Sequence, residues 1–163
     1  MSSKIPPEGL SDAQLYDVAR RYSIPLGGVY SKADLKSIPR RRRLHSYGYI
    51  INLSDLKNDS GTHWVGLVYL EKPDDYYYFD PFGFPPPVEV IAFTDRMRPD
   101  ADLTWSEDQI QGIKSSHCGL YALYFIQQML RGQPYRTFLD QFTDDPKRND
   151  KIVENKLNVQ GIV

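Results

Sequence analysis

The chain has 163 residues, 40% of them hydrophobic and 25% charged, with a formal net charge of −1. That length fits one domain, residues 1–163, which can bury a core without disulfides or metal. The near-neutral charge excludes a global field drawing the chain onto nucleic acid or membrane. The single cysteine, Cys118, excludes an intramolecular disulfide and a cysteine-rich zinc site, and three dispersed histidines argue against a histidine-based metal site.

The opening "MSSKIPPEGL" holds no apolar run of the signal type, so no secretory signal is expected. No stretch approaches the roughly 18 apolar residues of a membrane span, and a reducing intracellular location is expected for the lone thiol. "LSDAQLYDVARRYSI" predicts a short amphipathic helix capped by Ser11, with Leu15, Val18 and Ala19 on one face, ended by Pro25 and the Gly27-Gly28 pair. "GVYSKADLKSIP" reads as irregular or as one short helical turn. After the run Arg40 to Arg43, "LHSYGYIINL" is rich in strand formers. "THWVGLVYLEKPDDYYYFDPFG" predicts a hairpin around Lys72-Pro73-Asp74. "PPPVEVIAFTDRM" favours a helix with Pro87 at its first position, and "ADLTWS" a short strand. Cys118 to Arg131 carries apolar residues all round, as a buried central helix does, and Gly132 and Pro134 stop it. Two short helices, "YRTFLDQF" and "NDKIVENKL", close the chain around Asp145-Pro146. Strands in the middle with helices on either side predict an α+β fold.

Cys118 opens that central helix with Gly119 beside it. Helix N-H dipoles favour negative charge at such a position, which suits a thiolate nucleophile, and backbone N-H groups there can face an oxyanion. The alternative is a small buried core residue. Three histidines compete as its base. His117 adjoins Cys118, but neighbours in sequence near a helix start point in different directions. His45 lies against the arginine run. His63 starts the apolar strand. If Leu70 pairs with Asp75 across a four-residue loop, Asp80 falls opposite Val65 and diagonal to His63 on one face, within reach of a carboxylate–imidazole contact. An odd loop length would remove that contact, and Asp80 would then be a turn residue before Pro81. Gln109 and Gln111 precede Cys118 closely enough to fold an amide back toward the sulfur, or to be plain loop glutamines.

The strings "GTHWVGLVYL", "YYYFDPFG" and "QGIKSSHCGLYAL", in this order, resemble the adenovirus-type maturation proteases, which belong with the ubiquitin-like-protein proteases in one superfamily of cysteine endopeptidases. The resemblance covers roughly residues 10–130. It implies a papain-like fold in which a central mixed sheet packs against a buried helix that starts at the nucleophile. It implies His63 as general base, Asp80 as the acid orienting it, Gln111 as oxyanion donor and Cys118 as nucleophile. Trp64, which follows the base, and Gly119 are implied to contact substrate.

The implied activity is a thiol endopeptidase cleaving after small residues, at Gly-Gly or Gly-x-Gly sites of viral or virus-like capsid precursors. Alternatives are removal of ubiquitin-like modifiers, a noncatalytic peptide-binding member of the fold, and a basic-loop nucleic-acid binder. The expected partner is a protein substrate with a Gly-rich cleavage site, met by a monomer in the virion or the host nucleus or cytoplasm. No cofactor is expected to be required. A peptide tethered through a second cysteine of this chain is excluded. DNA is a candidate activator, contacted by Arg40, Arg41, Arg42 and Arg43, a run that otherwise reads as a solvated loop.

Overall fold

The computed structural model describes residues 4–40, 45–54 and 63–163. Helix α1 (Asp12–Arg21) starts at Ser11, whose hydroxyl accepts from the Gln14 N-H while the Gln14 side chain accepts from the Ser11 N-H. This reciprocal capping box satisfies two end donors. Leu15, Val18 and Ala19 face inward, as their spacing predicts.

A five-stranded mixed sheet follows, in the order β1 (Leu26–Ser31), β2 (Tyr47–Asn52), β3 (Trp64–Leu70), β4 (Asp75–Phe79) and β5 (Leu103–Thr104). The β1–β2 and β4–β5 pairs are parallel, and β2–β3 and β3–β4 are antiparallel. A 3-10 helix spans Lys32–Ser37, the short turn expected there. Strand β1 is a correction, because Pro25 and Gly27-Gly28 read as terminators. The two glycines instead make room for rings. A Cβ on Gly27 would lie 2.4 Å from Tyr49 Cε1, and one on Gly28 would lie 2.4 Å from Tyr30 Cε2.

Side chains alternate across the sheet with the period of two that strands impose. Tyr49, Ile51, Val65, Leu67, Tyr69, Tyr76 and Tyr78 pack under helix α2 (Val88–Met97) and the 3-10 helix. Arg96 ties those two elements together by donating to the Leu35 and Ile38 carbonyls. Pro87 is the N-cap of α2, so the helix begins one residue later than expected. On the opposite face Ile50, Trp64, Val68 and Phe79 pack against α3 (Cys118–Leu130), with α1, α4 (Tyr135–Asp140) and α5 (Pro146–Lys156) around it. Eleven residues of α3 are buried, which is why its sequence is apolar all round. Asp145 caps α5 by accepting from the Lys147 N-H, with Pro146 first in the helix.

The seat of α3 is cut by two sheet glycines. A Cβ on Gly66 would lie 2.7 Å from Phe125 Cδ2, and one on Gly48 would lie 2.4 Å from Ile126 Cγ2. Because α3 carries Cys118 at its start, these close approaches set the height of the sulfur above the sheet. Gly48→Ala should therefore lower stability by about 1–3 kcal/mol, the usual cost of overpacking. Removing the opposing γ carbons, in Gly48→Ala with Ile126→Ala, should cost less than the two single changes added together. Urea denaturation of the single and double variants tests this, and equal midpoints for Gly48→Ala and the parent chain would contradict the close seat.

Candidate active site

His63 immediately precedes β3, and its backbone is held at both ends. Its N-H donates to Ser54 Oγ at 3.1 Å, and its carbonyl accepts from the Leu53 N-H at 2.9 Å. The imidazole points across the end of the sheet to Asp80, with Nε2 2.9 Å from Asp80 Oδ1. Leu70 pairs with Asp75 as the four-residue loop requires, and Gly66 with Phe79, so Asp80 emerges diagonal to His63. The Asp80 side chain is 1% exposed and that of His63 is 21% exposed.

A turn fixes the carboxylate. Asp80-Pro81-Phe82-Gly83 is closed by the Gly83 N-H donating to the Asp80 carbonyl at 2.8 Å. The Phe82 N-H donates to Asp80 Oδ1 at 2.8 Å, an Asx-type contact that orients the oxygen facing His63. Gly83 has φ +80°, and a Cβ there would lie 2.6 Å from the Glu107 carbonyl oxygen, so glycine is required both by conformation and by space. The Pro81 carbonyl accepts from the N-H groups of Ile110 and Gln111, both at 2.9 Å. One turn thus binds the acid, the imidazole and the segment leading to Gln111.

Cys118 is the first residue of α3, is 3% exposed, and receives the Trp64 N-H at its sulfur at 3.4 Å. The sulfur interacts with the His63 side chain. With Nε2 committed to Asp80, the remaining ring nitrogen, Nδ1, is buried without a hydrogen-bond partner. Burial by itself would lower the His63 pKa. The Asp80 hydrogen bond, then the Cys118 contact and the charges of both, outweigh burial and raise it from 6.5 to about 9. The arrangement can pass a proton between a thiol and an imidazole whose orientation a carboxylate holds.

Gln111 is fully buried, and its Nε2 donates to the Ser115 carbonyl at 2.9 Å and to Ser115 Oγ at 3.2 Å. Its Oε1 is buried without a partner. The amide is therefore folded into the loop before α3, engaged with Ser115. Trp64 and Gly119, expected to contact substrate, lie in the interior. The indole N-H donates to the Leu10 carbonyl at 2.9 Å, and a Cβ on Gly119 would lie 2.8 Å from Leu15 Cδ2 and 3.3 Å from Trp64 Cδ1. These two residues seat the start of α3 against α1. His117 turns away from Cys118 toward α5, where its Nε2 pairs with Glu154 and its Nδ1 lies 3.8 Å from Asp150. His45 is exposed. Arg40 is exposed, whereas Arg41, Arg42 and Arg43 lie outside the described residues. Among the described residues no cluster of His, Cys, Asp or Glu could hold a metal, and no helix is long and apolar enough to cross a membrane.

Phe82 has no role in the sequence reading beyond its place in "FDPFG". Its ring stacks on the His63 imidazole, with centroids 4.5 Å apart and planes 15° apart. The available signal is an aromatic residue two positions after the acid, bracketed by proline and glycine in a turn.

No protein-family model matches the chain. A protease of Bovine adenovirus 2 is 27% identical over 81 residues, a match spanning 43% of this chain and 40% of that relative. The chain thus matches well under two thirds of that relative's length. Among solved structures, the crystal structure of an ASFV protease superposes with a TM-score of 0.64 at 18% identity, over 94% of this chain and 70% of that one. ChlaDub1 from Chlamydia trachomatis superposes with a TM-score of 0.59 at 12% identity, over 99% of this chain and 92% of that one. The chain is similar in sequence to a protease of Bovine adenovirus 2 and shares the mixed-sheet α+β fold of the ASFV protease and ChlaDub1.

Proposed function

We propose that the protein is a cysteine endopeptidase that cleaves after small residues at Gly-Gly or Gly-x-Gly sites, processing precursors of viral or virus-like capsids. The observation that carries this reading is the single imidazole held between Asp80 and the Cys118 sulfur at the start of α3. The adenovirus and ASFV proteases, both viral, favour precursor processing over removal of ubiquitin-like modifiers.

In this reading His63 is imidazolium at neutral pH, since its pKa is about 9. That form stabilises a neighbouring thiolate. The sulfur attacks the scissile carbonyl carbon and the carbonyl electrons move onto oxygen. The tetrahedral intermediate expels the amine, which takes the proton from His63. Neutral His63 then removes a proton from water, which attacks the thioester, and the acid leaves as sulfur regains its electrons and the imidazole its proton. The first N-H groups of α3 have no acceptor within the helix and are suited to the oxyanion. Gln111 supplies the second donor once its longer bond, the 3.2 Å contact to the Ser115 hydroxyl, gives way to substrate.

Four outcomes follow for cleavage of a Gly-Gly-containing peptide. Cys118→Ala should reduce kcat by at least about 10³-fold without unfolding the protein, and a Cys118→Ala variant that still cleaves would end the assignment. Gln111→Ala should reduce kcat by about 10²–10³-fold with little effect on KM, as for a lost oxyanion donor. The pH profile of kcat/KM should fall on the alkaline side near 9, because activity needs the proton that His63 loses there. Asp80 raises that pKa, so Asp80→Asn should move the alkaline limb to lower pH and reduce kcat by up to about 10⁴-fold. An alkaline limb unmoved in Asp80→Asn would contradict the role given to this carboxylate.

A further inference from the structure

We infer that Phe82 is a positioning residue for His63, holding the imidazole plane with its ring and the Asp80 carboxylate with its backbone N-H. The inference rests on the reading of His63 as the acid–base group of a thiol peptidase.

Two contacts from one residue converge on the same pair. The Phe82 N-H donates to Asp80 Oδ1 at 2.8 Å, and that same oxygen lies 2.9 Å from His63 Nε2. The ring of Phe82 lies flat on the imidazole at 4.5 Å with an interplanar angle of 15°. A single hydrogen bond from Nε2 leaves the imidazole free to swing about the line of that bond, because the χ2 torsion of histidine has a broad minimum. A swing would disturb the contact between the imidazole and the sulfur. A flat ring pressed on one imidazole face opposes it.

The stack also acts on charge. The face of an aromatic ring carries partial negative charge and attracts a cation lying over it. Imidazolium is therefore favoured over imidazole beneath Phe82, in the same direction as the other groups facing His63, the Asp80 carboxylate and the Cys118 sulfur. Phe82 is half-buried, and its ring covers one face of an imidazole that is itself only partly exposed. The turn leaves the ring little choice of position. Pro81 fixes the backbone before it, and Gly83, locked against the Glu107 carbonyl, fixes the backbone after it.

The test uses Phe82→Leu, which keeps apolar bulk, and Phe82→Tyr, which keeps the flat ring, both in the intact chain. NMR titration of the His63 ring reads the stack without reference to activity. Phe82→Leu should lower the His63 midpoint by roughly half a unit to one and a half units, and Phe82→Tyr should leave it within a few tenths of the parent value. In peptide cleavage Phe82→Leu should lower kcat roughly tenfold, shift the alkaline limb by the same amount as the titration, and leave KM within about twofold, with Phe82→Tyr restoring kcat. A His63 midpoint unmoved in folded Phe82→Leu, or Leu and Tyr variants that behave alike, would overturn the inference while leaving the peptidase reading intact. A parent protein whose Cys118 neither cleaves peptide nor reacts with a peptide electrophile would instead overturn the peptidase reading, and with it the positioning role. Should Phe82→Leu fail to fold, Phe82→Met, with the same bulk and no ring, takes its place with the same expected shifts.

Discussion

The hydrogen bond between His63 and Asp80 is the constraint on which the site depends, and the structure surrounds it with backbone. Asp80 is almost wholly buried, and a buried carboxylate is tolerated only when donors satisfy it. The donors here are the imidazole and the Phe82 amide, which meet at Oδ1, while Oδ2 is buried without a partner. The turn that supplies the amide is fastened in turn to the 107–111 segment through Gly83 and the Pro81 carbonyl. Moving any one of Asp80, Phe82 or the 107–111 segment therefore strains the others. The site is held by main chain at the end of a sheet, a more rigid mount than a set of long side chains would give.

The thiol reaches this pair by a different route. Its position is a consequence of core packing, since α3 is buried on nearly every side and rests on Gly48 and Gly66. Gly119 and Trp64 complete the seat at the start of the helix, and the Trp64 N-H points at the sulfur itself. His117, the nearest histidine in sequence, is spent on joining α3 to α5 through Glu154 and Asp150. The imidazole that interacts with the sulfur comes from 55 residues earlier in the chain, immediately before β3, the strand against which α3 packs. For His63, burial and charge oppose each other. The carboxylate and the sulfur prevail, so the imidazole holds its proton at neutral pH.

Much of this was legible in the residues. Ser11 and Gln14 announce α1, the apolar run after Cys118 announces α3, and an even loop between Leu70 and Asp75 is enough to put Asp80 beside His63. Three features were not legible. Strand β1 was hidden because a Gly-Gly pair serves equally as a terminator and as clearance for the Tyr30 and Tyr49 rings. The engagement of Gln111 with Ser115 depends on how a six-residue loop folds, which no periodicity encodes. The burial of Trp64 follows from the docking of the segment that leads into α1, where the Leu10 carbonyl takes the indole N-H. In each case tertiary contact, rather than local preference, decides the outcome.

The central claim is that His63 and Cys118 form one reactive unit. The most direct measurement is the rate at which a Gly-Gly vinyl sulfone alkylates the intact protein at neutral pH, with the adduct located by peptide mass mapping, in the parent chain and in His63→Ala. The account predicts a single adduct on Cys118 whose formation slows by at least about 10²-fold in His63→Ala, since the imidazole both stabilises the thiolate and protonates the adduct carbon. An adduct forming equally fast in both proteins, or none at Cys118 in the parent chain, would contradict it.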